Sequence, residues 1–211
     1  FRWIVVSGKH FIQGTYEPFK TDALIDQIRQ GDMVIDVGAH VGYYTAIASL
    51  LSGKDGRVFS FEPRPLNLEF LKKHIAINKL ENVRVFEKGV SNYSGKSRFD
   101  TRTGTGTGRM APSGSLEIEV VDLDSLFSAG ILPAPDFIKI DVEGEEANVL
   151  RGAKSMIQSS RPGILVAVHS EENLRAVTGF LEVRGYGLTV LNPVRGKGDT
   201  EILALPIAHR S

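Results

Sequence analysis

Two apolar runs in this chain each carry an acid at their far end. Val34-Ile35-Asp36-Val37 opens into Gly38-Ala39-His40-Val41-Gly42-Tyr43-Tyr44-Thr45, and Arg57-Val58-Phe59-Ser60-Phe61 ends in Glu62-Pro63. Glu62 lies twenty positions past Gly42. In an open α/β sheet, a strand, a tight glycine turn and a helix build a nucleoside pocket at the carboxyl ends of the strands. Glycines allow close backbone approach. An acid on the second strand can accept both ribose hydroxyls.

The turn separates two cofactor classes. A dinucleotide wants G-x-G-x-x-G, so that its pyrophosphate rests on the helix N-terminus. Here the middle glycine is replaced by His40, whose side chain would crowd a pyrophosphate. Asp36 adds negative charge before the turn, which suits a cationic ligand. S-adenosylmethionine has a sulfonium, an ammonium and a ribose but no phosphate, so the acids favour it over NAD. On this reading Gly38 and Gly42 admit the methionine moiety. Asp36 fixes the turn or meets the ammonium through water. Glu62 holds the ribose, and Pro63, Gly89 and Val90 border the adenine. The bland alternative is a glycine turn that binds nothing.

A second constellation lies later in the chain. Lys139, Asp141 and Glu143 alternate with Ile138, Ile140 and Val142, so an extended chain places the three charged residues on one side. Such charges are costly to bury unless paired. They either form a Lys–Asp ion pair that supports the turn or place Asp141 beside the transferred group, with Glu143 shaping the acceptor pocket. His169 follows the next apolar run at the same edge. It is a candidate base, or a packing or capping residue. His10, His74 and His209 show no metal-ligand spacing. Asp141 and Glu143 have the chemistry for magnesium, but nothing in the sequence requires a metal, and none is assigned.

Those residues need a framework. The pattern predicts a helix over 20–30, strands at 33–37, 57–62, 83–87, 137–141 and 164–168, and a helix over 144–158. Further helices follow the glycine turn and Pro65, and a last one has Glu171 and Glu172 in its first turn. Tyr44, Ile47, Ala48 and Leu51 mark the inner face of the first helix after the turn, and Gly53 stops it. Leu68, Leu71 and Ile75 mark the next helix, and Leu174, Val177 and Leu181 the last. Residues 186–191 and 201–205 read as a closing antiparallel pair. Residues 91–116 are rich in Gly, Ser and Thr, and read as an inserted loop or hairpin with strands near 96–100 and 117–121. Thr103–Arg109 is not a P-loop, because no helix with a Lys-Ser/Thr opening follows. It reads as a mobile loop or a lid. The alternation predicts a layered α/β sheet in one domain over 1–211, with 1–30 as an N-terminal extension.

Bulk properties exclude several classes. The 211 residues carry 25 basic and 25 acidic side chains, so no global field collects nucleic acid. No basic stripe with interleaved aromatics is present. With no cysteine there are no disulfides, thiolate zinc sites or cysteine nucleophiles. No apolar run reaches membrane-spanning length and no signal peptide is visible, so a cytoplasmic location is the default expectation. The chain starts at Phe1-Arg2-Trp3 without a methionine, as an excerpt of a longer protein would.

Several of these segments together resemble the FkbM-type S-adenosylmethionine-dependent methyltransferases. The matching pieces are Gly14–Pro18, Asp36–Thr45, Phe61-Glu62-Pro63, Gly89–Gly95, Val121–Leu126 and Ile138–Glu146, in the family's order. Lys139-Ile140-Asp141-Val142-Glu143-Gly144 is the most specific. The resemblance implies a Rossmann-like class I sheet of seven strands, mostly parallel with an antiparallel last strand, and helices on both faces. It implies O-methylation of a small-molecule, glycan or lipid-like acceptor. It carries over Glu17, Asp36, Gly38, Ala39, His40, Gly42, Tyr44, Thr45, Glu62, Pro63, Gly89, Val90 and Asp141 as cofactor-binding residues. Asp141, Glu143, Lys139 and His169 carry over as catalytic candidates. Two departures stand out. The family often has Asn at the position of His40, and often an acid two positions before His169, where this chain has Ala167. A non-catalytic adenosylmethionine-binding or scaffold domain is the rival reading.

Overall fold

A computed structural model describes residues 2–3, 16–101, 108–192 and 200–207. His10, Gly14, Thr15, His209, Thr103–Thr107 and 193–199 lie outside the described residues.

The chain runs α1 (Pro18–Gln27), β1 (Met33–Val37), α2 (Tyr43–Ser52), β2 (Arg57–Phe61), α3 (Pro65–Ile77), β3 (Val83–Phe86), β4 (Gly89–Val90), β5 (Gly95–Asp100), β6 (Arg109–Met110) and β7 (Leu116–Val121). It continues through α4 (Leu123–Ser128), β8 (Phe137–Ile140), α5 (Glu146–Arg151), α6 (Lys154–Ser160), β9 (Gly163–Val168), α7 (Glu171–Glu182), β10 (Tyr186–Val190) and β11 (Thr200–Pro206). The main sheet has the order β10-β11-β9-β8-β1-β2-β3. Only β11 is antiparallel to its neighbours, β9 and β10.

Strand periodicity explains the layering, because successive side chains point to opposite faces. Ile35, Phe59, Ile138 and Ile164 join one apolar cluster, with side chains of α5, α6 and α7. Their chain neighbours Val34, Val58, Phe137 and Leu165 join the other, with α1 and α2. Both faces are therefore covered by helices. Such strands read as near-continuous apolar runs.

Strand order reverses beside β1, which pairs in parallel with β2 on one side and β8 on the other. Open α/β sheets hold ligands in that crevice, at the strands' carboxyl ends. Asp36, Glu62, Asp141 and His169 all lie at or near that edge.

Two local expectations are corrected and a third is matched. The helix over 144–158 is two helices, broken at Gly152-Ala153. There α5 runs against the chain leaving β4: a Cβ on Gly152 would lie 2.2 Å from the Ser91 carbonyl oxygen. The inner face of α2 is wider than Tyr44, Ile47, Ala48 and Leu51. Thr45 and Ser52 are fully buried, whereas Ile47 and Leu51 are only half-buried. The strands expected near 96–100 and 117–121 are β5 and β7, and the glycine run between them lies mostly outside the described residues. With β4 and β6 they make a second sheet of order β4-β7-β5-β6. Phe99, Ile118 and Val120 form an apolar cluster of that sheet.

Candidate active site

The glycine turn is locked from both sides. Gly38 and Ala39 N–H both donate to the Phe61 carbonyl, at 3.0 and 2.9 Å. Gly38 has φ +78°, and a Cβ there would sit 1.8 Å from the Asp141 carbonyl oxygen. Only glycine lets β8 come this close. At Gly42, φ is +94° and a Cβ would meet Leu71 of α3 at 2.6 Å.

A cavity opens above this turn. It is lined by Gly38, Ala39, His40, Tyr44, Glu62, Pro63, Gly89, Val90, Lys139, Asp141 and Glu143, among others. The second sheet covers it with Phe99, Met110 and Ile118. The structure therefore brings most of the sequence-derived site together. Glu17, Asp36, Gly42, Thr45 and His169 do not line this cavity.

Asp36 is buried under the turn instead. Its Oδ1 lies 3.1 Å from Lys139 Nζ, and its Oδ2 accepts from Thr45 Oγ1 at 2.6 Å. Lys139 Nζ also donates to the Gly38 carbonyl at 2.7 Å. The charge expected to attract a cationic ligand is thus neutralised internally, because a buried carboxylate must be paired. Lys139 pairs with Asp36 and not with Asp141. Thr45 completes this buried network, also lying 2.9 Å from Ser60 Oγ.

Glu62 is held in one orientation. Its Oε2 accepts from His40 N–H at 2.9 Å, and its Oε1 from Arg64 N–H at 2.9 Å and Asn67 Nδ2 at 3.2 Å. Burial raises its carboxyl pKa, against the lowering effect of those donors. His40 has φ +52°. Burial and then the Lys139 charge depress its imidazole pKa to about 4, so the ring is neutral. Its Nε2 is buried without a hydrogen-bond partner among the described residues. Unsatisfied buried polar atoms call for a partner, and this one belongs to a cavity-lining residue.

The chain does not stay extended beyond Ile140. Glu143 has φ +53°, so the simple alternation of sides ends there. Val142, expected on the opposite side, lines the cavity too. Tertiary contacts nevertheless gather the acids. His169 Nε2 lies 3.5 Å from Asp141 Oδ1 and 3.5 Å from Glu143 Oε1. Its Nδ1 lies 2.6 Å from Glu146 Oε1. Burial opposes charge on the ring, but the Glu146 bond and the acids around it raise its pKa to about 9. Asp141, Glu143 and His169 could each offer one ligand atom to a metal. Here the charge of this corner is balanced by Lys20 and by His169 itself.

Sequence reasoning missed Lys20, Glu146, Glu201 and Tyr16. Lys20 is 2% exposed, and its Nζ lies 3.0 Å from Asp141, 2.8 Å from Glu17 and 3.9 Å from Glu201. Burial alone would lower its pKa, but Asp141 and Glu17 outweigh it and raise the ammonium above the ordinary lysine value. In turn Asp141, which burial would raise, is held below the usual carboxylate range by Lys20, Lys139 and His169. Glu17 also accepts from Tyr44 Oη at 2.8 Å, so it touches the cavity lining through Tyr44 and, by way of Lys20, Asp141. A signal for Lys20 existed: it shares helical spacing with Ala23 and Leu24, the buried face of α1. Glu146 is fully buried and accepts from Gly144 N–H and Asn173 Nδ2 as well as facing His169.

The His169–Glu146 contact gives a pH-dependent stability. The folded pKa of about 9 exceeds the unfolded value near 6.5. Its contribution, of order 2–3 kcal/mol, is complete below the unfolded value and lost as pH rises through the folded one. Urea midpoints should therefore fall from pH 6.5 to 9.5, and His169→Gln should flatten that part of the profile. An unchanged slope in the variant would assign the loss elsewhere.

A family model described as the Methyltransferase FkbM domain matches residues 36–188. The chain belongs to this family. The family and the fold are those of S-adenosylmethionine-dependent methyltransferases. The chain is 29% identical over 160 residues to the hexuronic acid methyltransferase AglP of Haloferax volcanii, covering 75% of this chain and 64% of AglP. Its fold matches the crystal structure of methyltransferase FkbM from Methylobacillus flagellatus with a TM-score of 0.65 at 20% identity, covering 87% and 50% of the two chains. It also matches fibrillarin from Aeropyrum pernix, a structure with bound S-adenosylmethionine, at TM-score 0.56 and 16% identity, covering 85% and 67%. This FkbM-family chain thus spans less than two thirds of AglP and half of the Methylobacillus protein. The matched span excludes Lys20, which meets Asp141 from α1, and Glu201 of β11, which lies 3.9 Å from Lys20. Among the described residues no helix is long and apolar enough to cross a membrane.

Proposed function

We propose that this chain transfers a methyl group from S-adenosylmethionine to a hydroxyl oxygen of a small sugar-like acceptor. The observation that carries the reading is the continuity of Glu62, His40, Asp141 and Glu143 around one cavity. Glu62 would hold the ribose hydroxyls with the lone pairs its three donors leave free. His40 Nε2 offers the cofactor a buried polar atom to satisfy. When bound, the cofactor supplies an electrophilic methyl group on sulfur. The residues then have separate roles. Asp141, ionised by Lys20, holds negative charge beside the cavity. Glu143 takes the hydroxyl proton as the acceptor oxygen becomes a nucleophile. His169 is protonated at neutral pH and orients both carboxylates. The walls supply alignment and exclude water.

The sugar class is supported by AglP, whose name gives a hexuronic acid as its substrate. A nucleic-acid acceptor is not part of the proposal, since basic and acidic residues balance at 25 each. The cytoplasmic location expected above belongs to the same reading. A non-catalytic scaffold would fit acceptor-side acids that are exposed, unpaired and without an adjoining cavity. Asp141 and Glu143 instead line the cavity and lie close to His169.

Calorimetric titration with S-adenosylhomocysteine, with NAD as control, tests the cofactor. Binding of the former alone is expected. Asp141→Asn should then lower turnover at least about a hundredfold, of the order general-base and charge-positioning groups supply, while cofactor affinity changes less than tenfold. Normal turnover in that variant would remove Asp141 from the mechanism.

A further inference from the structure

A second cleft of about 560 Å3 adjoins the cofactor cavity. Glu143 is the residue common to both linings, and His169 belongs to the cleft. A molecule in the cleft therefore meets Glu143 and His169, which adjoin Asp141.

The cations around the two cavities fall into two groups. Lys88 lies 2.6 Å from Glu119, Lys139 lies 3.1 Å from Asp36, and His169 lies 2.6 Å from Glu146. Arg109 and Arg151 line the cleft and have no carboxylate partner among the described residues. Arg151 donates to Asn148 Oδ1 at 2.7 Å, which steadies its fork from within α5. Arg109 comes from β6 of the second sheet. Guanidinium forks match planar oxyanions with paired hydrogen bonds.

We propose that the acceptor carries a carboxylate, which Arg109 and Arg151 hold in this cleft while a neighbouring hydroxyl reaches Glu143. The inference rests on the methyl-transfer reading above and narrows its acceptor to an acidic sugar. A carboxylate suits the cleft better than a phosphate. Glu143 and Glu172 share the lining, and a dianion would meet more repulsion from them than a single charge does. Glu172 itself sits in the first turn of α7, where the helix dipole favours an acid.

The test compares three probes on protein saturated with S-adenosylhomocysteine: methyl glucuronide, methyl glucoside and glucose 6-phosphate. The glucuronide should bind about tenfold or more tighter than the glucoside, as one charge-assisted contact supplies. The advantage should shrink in 0.5 M salt. R109M and R151M, which keep the apolar stem, should erase it while leaving homocysteine-cofactor affinity within twofold. Equal binding of glucuronide and glucoside overturns the proposal, as does a preference for the phosphate or one that survives both variants. Failure of the protein to bind S-adenosylhomocysteine at all is a separate result, and it strikes the underlying methyl-transfer reading.

Discussion

Replacing Glu62 by alanine should raise the dissociation constant for S-adenosylhomocysteine at least about a hundredfold. The ribose loses two hydrogen bonds to a charged acceptor, each worth about 1.5–3 kcal/mol, and tenfold in affinity corresponds to about 1.4 kcal/mol. Part of the loss is indirect. The same carboxylate fixes the His40 and Arg64 N–H groups, so the glycine turn loosens when it is removed. Glu62→Gln is the milder variant, since it gives up one of the two acceptor oxygens rather than both. It keeps the side chain's shape and one acceptor oxygen, and is expected to cost about tenfold. Calorimetry on the three proteins, with thermal melting to confirm folding, decides the matter. Alanine binding within threefold of the parent would show that Glu62 does not hold the ribose.

Lys20→Met should destabilise the protein by about 3 kcal/mol, the scale of breaking one partner from a buried ion pair. Methionine fills much the same space, so packing loss is small. What remains is the charge of Asp141, Glu17 and the buried Glu201 without their shared cation. The Asp141 pKa is depressed in the folded protein. Its stabilising share is therefore present above the ordinary aspartate value and lost as pH falls through the folded one. Urea midpoints measured from pH 3 to 8 should show the variant losing most near neutrality and converging with the parent in acid. The acid limb of turnover should move to higher pH as Asp141 returns toward its ordinary value. A uniform loss at every pH would make Lys20 a packing residue alone.

Much of the scaffold was legible because its signals are local. Apolar runs such as Ile164–Val168 identify strands covered on both faces, and Val177 and Leu181 identify the inner face of α7. The glycine turn was legible as well, since Gly38 and Gly42 stand at fixed offsets from a strand end. So was the convergence of Asp141, Glu143 and His169, because their runs end at one edge of the sheet. Where local spacing misled, the reason was a neighbour distant in sequence. Gly152 breaks the helix because the chain after β4 passes against it. Val142 lines the cavity because the chain leaves the extended conformation after Ile140, where strand alternation no longer applies.

The sequence by itself determined the sheet's strands, the glycine turn and the residue types available at its edge. Periodicity and turn chemistry act over a few residues, and their physics is visible in any window of the chain. The tertiary structure decided which charge meets which. Asp36 was taken out of the site by Lys139, and Asp141 was given its cation by Lys20, 121 positions away. Neither pairing follows from spacing, because burial makes an unpaired charge so costly that packing, rather than proximity in sequence, selects the partner.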